Sequence, residues 1–144
     1  MTPIVVDTGV VVAAVIEEED SARAVKLFRA AANGAYRPVA PDFMAIEFGN
    51  VLWKYVNQGL LSAEEARRHI ERFPYDRFEW LPARILLPEA FRFATEHSIA
   101  VYDAAFLAAA ASLGMDLITA DEALHRKVGG RLSWVRLLRD FDGG

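Results

Sequence analysis

Short apolar runs alternate along this chain with longer segments of helical spacing. Ile4-Val5-Val6 is a β-branched run that reads as a buried strand, and residues 9–16 stay apolar and begin a helix. After the charged patch Glu17-Glu18-Glu19-Asp20, the positions Ala22, Val25, Leu27, Phe28 and Ala31 recur at helical spacing from Ser21, and Asn33-Gly34 ends that helix. Arg37-Pro38-Val39-Ala40 is a second strand. Pro41-Asp42 opens a long helix reaching Asn57 and stopped at Gly59. Ser62 followed by Glu65 forms a capping box, so a helix starts there and runs to Phe73, before Pro74. Residues 78–81 suit a strand, and residues 88–97 and 102–113 suit helices, the second ended by Gly114. Leu117-Ile118-Thr119 is a further strand, residues 121–128 a short helix, and residues 132–135 a last strand.

Strands separated by helices predict an α/β fold with a mostly parallel sheet covered on both faces. With five strands, this is a three-layer α/β/α sandwich. There is no repeat, no low-complexity segment and no linker, so residues 1–142 are expected to form a single domain, with Gly143-Gly144 as a flexible C-terminal end. A chain of 144 residues can bury a sizeable core without staples.

The absence of cysteine excludes disulfides, thiolate nucleophiles and Cys-ligated zinc or iron–sulfur sites. No apolar run is long enough for a membrane span. Met1-Thr2-Pro3 and the short run after it lack the positive leader and cleavage site of a signal peptide. The expectation is a soluble, cytoplasmic protein. Net charge is −4 and 53% of residues are hydrophobic. Proteins that hold nucleic acid mainly by neutralising phosphates are usually basic. Contact with RNA here would therefore rest on local positive patches and bound metal.

Four acids stand where the apolar pattern does not favour them. Asp7 follows the first strand, and Asp121 follows Leu117-Ile118-Thr119-Ala120. Asp103 opens an Ala/Leu/Phe run, and Glu47 lies inside an apolar helix. An ionised carboxylate in such surroundings is unfavourable unless something neutralises it. Hard divalent cations such as Mg²⁺ want oxygen ligands, and four acids beside core sequence point to one shared ion. Ligands of parallel sheets bind beyond the carboxyl ends of the strands, where the strand order reverses. If the first strand and the 117–119 strand are neighbours, Asp7 and Asp121 face one crevice. Glu47, Asn50 and Lys54 fall at i, i+3 and i+7 and form one polar stripe.

Each acid also has an ordinary role when taken singly. Asp7 and Asp121 suit helix N-caps, Asp103 complements a helix dipole, and Glu47 suits a solvated helix face. Other chemistries find no support. His69, His97 and His125 lack metal-ligand spacing, and there is no G-x-S-x-G elbow, G-x-G-x-x-G or P-loop. Arg67-Arg68 and Arg126-Lys127 read as solvated faces, with Lys54, Arg126 and Lys127 as candidates for phosphate contact near the cleft. Val10, Val11, Val12, Val15 and Ile16 exceed what one amphipathic helix needs, which fits core packing first and a partner groove second.

Val5-Val6-Asp7-Thr8, Glu47-Phe48-Gly49-Asn50-Val51-Leu52, Tyr102-Asp103-Ala104 and Leu117-Ile118-Thr119-Ala120-Asp121 together resemble the PIN-domain ribonucleases, in particular the VapC-type toxins of toxin–antitoxin pairs. The motifs occur in the family's order over essentially the whole chain. The resemblance implies a parallel five-stranded sheet with acids at its carboxyl edge that bind Mg²⁺ or Mn²⁺. It also implies cleavage of RNA, homodimers, and a VapB-like antitoxin that wraps the groove. By matching position, Asp7, Asp103 and Asp121 would be metal ligands and Glu47 would complete the cluster. Thr8, Asn50 and Thr119 would orient those ligands. One position departs: many relatives carry Ser where this chain has Gly9. The implied activity is metal-dependent phosphodiester hydrolysis, that of an endoribonuclease. A phosphatase of the haloacid-dehalogenase type would need a second Asp at Gly9. A non-catalytic RNA- or protein-binding module would not need four acids.

Overall fold

The structure is a computed structural model that describes residues 1–142. The strands are β1 (Thr2–Val6), β2 (Tyr36–Pro41), β3 (Glu79–Leu81), β4 (Leu117–Thr119) and β5 (Val135–Leu137). They form one sheet in the order β3-β2-β1-β4-β5, with every neighbouring pair parallel. The helices are α1 (Thr8–Val15), α2 (Ser21–Ala32), α3 (Met44–Asn57), α4 (Ala63–Arg72), α5 (Ala83–His97), α6 (Val101–Leu113) and α7 (Glu122–Val128). This is the expected α/β sandwich. The end anticipated at Gly143-Gly144 lies outside the described residues.

Burial explains the strand sequences. Consecutive residues Ile4, Val5 and Val6 are all buried, as are Leu117, Ile118 and Thr119, so both faces of the central strands are covered. The edge strand β5 instead alternates, with Val135 and Leu137 buried around an exposed Arg136. α6 is buried continuously from Ala104 to Ala110 and packs against β1, β2 and β4. Its run of alanines lets it lie close to the sheet. Val10, Val11 and Val12 of α1 are core residues, which accounts for that part of the apolar surplus, while Ile16 is partly buried and Val15 is exposed.

Three boundaries differ most from the sequence reading. α5 begins at Ala83, with Pro88 inside it. Pro88 and Arg84 are both exposed, so the missing N–H and the carbonyl it leaves free lie on the solvent side. Asp42 does not open α3; its Oδ1 accepts the Ala83 N–H at 3.1 Å, at the start of α5. The last strand is Val135–Leu137, because Leu132 is held in the turn after α7 by its N–H to Val128 O at 2.9 Å. The capping box forms as read, with Ser62 Oγ accepting from Glu65 N–H at 3.0 Å and Glu65 Oε1 accepting from Ser62 N–H at 3.1 Å.

Strand order reverses at the centre of the sheet. From β1 the chain moves out through β2 and β3, then returns to place β4 on the other side of β1. The pairings Val5↔Leu117 and Val6↔Ile118 bring the ends of β1 and β4 together. A crevice opens there.

Candidate functional site

Asp7, Glu47, Asp103 and Asp121 all line one open cleft of about 590 Å³ at this reversal point. The other side chains around it include Thr8, Asn50, Lys54, Tyr55, Glu18 and Phe106. Each acid stands at the N-terminal end of a different helix. Asp7 caps α1, its Oδ1 accepting from Val10 N–H at 3.2 Å. Asp121 caps α7, its Oδ1 accepting from Leu124 N–H at 3.0 Å. Glu47 and Asp103 lie in the first turns of α3 and α6. The capping roles read singly from sequence are therefore real. Because four positive helix ends meet at one cleft, those roles also make the acid cluster tolerable.

Two threonines tie the acids to the scaffold. Thr119 is fully buried. Its hydroxyl donates to Asp7 Oδ2, and it accepts the Asp121 N–H at 3.0 Å. Thr8 donates its hydroxyl to Glu47 Oε1, which joins the start of α1 to α3. Phe43 packs edge-on against Tyr102 and Phe106, with ring centroids 5.6 Å apart in both cases. Since these rings bracket Asp103, they fix its helix against the start of α3. Asn50 lines the cleft but makes no hydrogen bond to any of the acids.

The carboxylates feel burial and one another. Burial pushes Asp7 up to about 6, opposed by the hydrogen bonds from Thr119, Val10 and Ala120, with a further upward push from the charge of Asp121. Glu47 is raised first by burial; Thr8 lowers it, Asp103 raises it and Lys54 lowers it. Asp103 is raised by burial and by Asp121, while Lys127 lowers it. A cation inside the cleft would relieve both the desolvation and the mutual repulsion. The all-oxygen donor set suits Mg²⁺ or Mn²⁺. Among the described residues no three acidic or histidine side chains stand together at ion-ligating distance. The acids share a cleft while Asp7, Glu47 and Asp121 are each held by hydrogen bonds from their local partners.

Gly9 lies against this site. A Cβ there would meet Ala120 Cβ at 3.2 Å and Asp7 Oδ1 at 3.5 Å. The chain thus packs its backbone close to Asp7 at this position. Two cleft residues escaped the sequence reading. Glu18 was hidden in a charged run, and Tyr55 lies at i+8 from Glu47, directly after Lys54, where widening the polar stripe by one residue would have found it. No helix among the described residues is long and apolar enough to cross a membrane.

The comparisons agree with this architecture. Residues 4–130 match the PIN domain family. The chain is 34% identical over 127 residues to Ribonuclease VapC3 of Pyrobaculum aerophilum, spanning 86% of this chain and 93% of that protein. The fold matches the crystal structure of PAE2754 from Pyrobaculum aerophilum with a TM-score of 0.69 at 25% identity, over 96% of this chain and 92% of the other. VapBC2 from Rickettsia felis, crystallised bound to a DNA fragment from their promoter, matches with a TM-score of 0.62 at 15% identity over 94% and 97% of the two chains, a likeness of fold alone. With the family matched across most of its length, and with acids gathered where the parallel sheet reverses, this chain belongs to the PIN domain family.

Proposed function

We propose that the protein is a divalent-metal-dependent endoribonuclease, the toxin of a type II toxin–antitoxin pair, acting in the cytoplasm. The observation that carries this reading is the gathering of Asp7, Glu47, Asp103 and Asp121, from four separate segments, around one open cleft. The similarity to Ribonuclease VapC3 supports RNA as the substrate.

In this reading Asp7, Asp103 and Asp121 hold Mg²⁺ or Mn²⁺, and Glu47 completes the cluster. Bound there, the ion supplies positive charge against the phosphate and acidifies a water. The rest falls to the chain itself. Thr119 sets the orientation of Asp7, and Thr8 sets that of Glu47. The helix ends at Asp7, Asp103 and Asp121 hold their carboxylates at the mouth of the sheet, open to a strand laid across it. Water adds across one P–O ester bond, leaving a phosphomonoester end and a hydroxyl end. The openness of the cleft suits an extended single strand or loop.

Two apolar surfaces support partners. Leu87 and Phe91 of α5 are 51% and 60% exposed, and with Tyr102 they suit a second copy of the chain. A groove lined by Val15, Phe28 and Phe73, flanked by Arg29, Arg72 and Arg77, suits an antitoxin segment of mixed apolar and acidic character. The deciding experiment is incubation with total RNA in Mg²⁺, Mn²⁺ or EDTA, followed by mapping of the new ends. Internal cuts that need the ion and vanish in Asp7→Asn are the expected result. Cleavage that survives EDTA, or an Asp7→Asn protein with full activity, would sink the reading.

A further inference from the structure

The cleft extends beyond its acids. On α3, Glu47, Val51, Lys54 and Tyr55 fall at i, i+4, i+7 and i+8, and all line the cleft. Eight residues at the helical rise carry Tyr55 about 12 Å along the axis from Glu47, about two nucleotides of an extended strand. Glu18 joins this lining from the loop between α1 and α2.

That loop is closed by hydrogen bonds of its own. Glu18 N–H donates to Ser21 Oγ at 2.8 Å, Ser21 Oγ donates to Ile16 O at 3.0 Å, and Ser21 N–H donates to Glu18 O at 3.1 Å. The Glu18 carboxylate stands near the Tyr55 hydroxyl, and both residues line the cleft. The backbone of Glu18 is therefore fixed by its loop, and its side chain lines the cleft beside Tyr55 of α3.

Charge pairing elsewhere makes this group stand out. Arg67 and Arg92 each bind two glutamates along their own helices, and Arg37, Arg136 and Arg139 are paired across elements. Neither Glu18 nor Lys54 belongs to any of the ion pairs among the described residues. Lys54 is the basic side chain on a cleft wall that also carries five acids. Among the described lining residues an anionic strand meets Lys54 as the basic side chain, while Lys127 acts on Asp103 from outside the lining.

We infer that Glu18, Lys54 and Tyr55 form a nucleotide subsite at the end of the cleft, where Lys54 meets a backbone phosphate and Glu18, placed by its loop beside Tyr55, accepts from the donor edge of a guanine. This rests on the reading of the cleft as an RNA-cleaving site. An ionised carboxylate only accepts hydrogen bonds. Guanine presents N1–H and its N2 amino group side by side, which two carboxylate oxygens can take together. Adenine and cytosine set one amino donor beside a ring acceptor, and uracil sets its imino donor between two carbonyls, so each brings an acceptor against the carboxylate. Single-stranded RNA is commonly read in this way, on the Watson–Crick edges of unstacked bases.

The test is cleavage of a single-stranded RNA pool with a randomised window by wild type, Glu18→Gln, Tyr55→Phe and Lys54→Ala, with Asp7→Asn as the blank, followed by sequencing on both sides of each cut. Wild type is expected to enrich guanine at one fixed position about two nucleotides from the cut. Glu18→Gln should reduce that enrichment by about tenfold, leaving preferences at other positions in place. Tyr55→Phe should weaken it at the same position. Lys54→Ala should raise KM and flatten the plot of log kcat/KM against log salt by about 0.7, the value for one phosphate on a single strand. An identical base profile in Glu18→Gln and wild type would overturn the subsite. Complete loss of cleavage in a folded Glu18→Gln protein would overturn it as well, by placing Glu18 with the reacting atoms. A wild type that cuts no RNA is a different failure, that of the cleft reading itself.

Discussion

The Thr119 hydroxyl donates to Asp7 Oδ2, joining the ends of two neighbouring strands across 112 residues of sequence. The same oxygen accepts the Asp121 N–H at 3.0 Å, so one buried hydroxyl sets the position of two of the four acids. A threonine in a fully buried strand end has little other reason to be there, since valine would fill the space as well.

Replacing that hydroxyl therefore separates packing from orientation. Thr119→Val keeps the shape and leaves a buried carboxylate oxygen and the Asp121 N–H without this partner. The expected loss of stability is about 1–3 kcal/mol, read from urea unfolding. Apparent Mn²⁺ affinity should fall by about 10–100-fold, measured by calorimetric titration. Thr119→Ser should recover most of both. Unchanged metal affinity in Thr119→Val would show that the hydroxyl does not orient the acids.

Asp7→Asn and Asp103→Asn remove charge from the cleft without removing volume. Both are expected to lower RNA cleavage by about 100-fold or more, the scale at which loss of a group stabilising charge in the transition state is felt. Circular dichroism should remain that of the wild type. Purification through an affinity step away from cellular ribonucleases is needed for the assay to mean anything. Either variant cutting RNA at the wild-type rate would remove that acid from the site.

Stability of the metal-free protein should depend on pH through Asp7. Burial raises its carboxyl to about 6 from an ordinary 3.8. Between those values the folded chain binds more protons than the unfolded chain. Stability from this group is therefore fully present below the lower value and is lost as pH rises through the upper one. A shift of this size corresponds to about 3 kcal/mol. Glu47 and Asp103, also raised by burial, act in the same direction. The measurement is the urea midpoint from pH 4 to 7 in EDTA, for wild type and Asp7→Asn. The wild type should lose stability relative to the variant across that window, and saturating Mn²⁺ should remove the difference. A wild type that gains on the variant as pH rises contradicts the burial argument.

The exposed side chains of α5 test self-association. Leu87→Asp or Phe91→Glu puts a charge on the apolar face beside Tyr102. Sedimentation velocity should show a dimer for wild type and a monomer for either variant, with the thermal transition close to that of wild type. A wild-type monomer at micromolar concentration would mean that this face serves another partner.

Much of the architecture was legible before the fold was seen. The β-branched runs at residues 4–6 and 117–119, the capping box at Ser62 and Glu65, and the glycine at 114 each mark an element by contacts within a few residues. Other boundaries were not legible for the same reason. Pro88 looks like a helix start when only its neighbours are considered, yet it sits inside α5 because its bare side faces water. Asp42 looks like the cap of the next helix, yet its oxygen is taken by Ala83, 41 residues on.

The site divides along the same line. The sequence alone determined that Asp7 and Asp121 follow strands, that Asp103 opens a buried helix and that Glu47 shares a stripe with Asn50 and Lys54, because local periodicity and burial pattern are written in adjacent residues. Only the tertiary structure decided that β1 and β4 are neighbours, that Thr119 reaches Asp7 and Thr8 reaches Glu47, and that Glu18 and Tyr55 line the same cleft while Asn50 holds none of the acids. Those relations depend on the order in which parallel strands cross over and pack. Each is set by the burial of the whole sheet, which no short stretch of chain encodes.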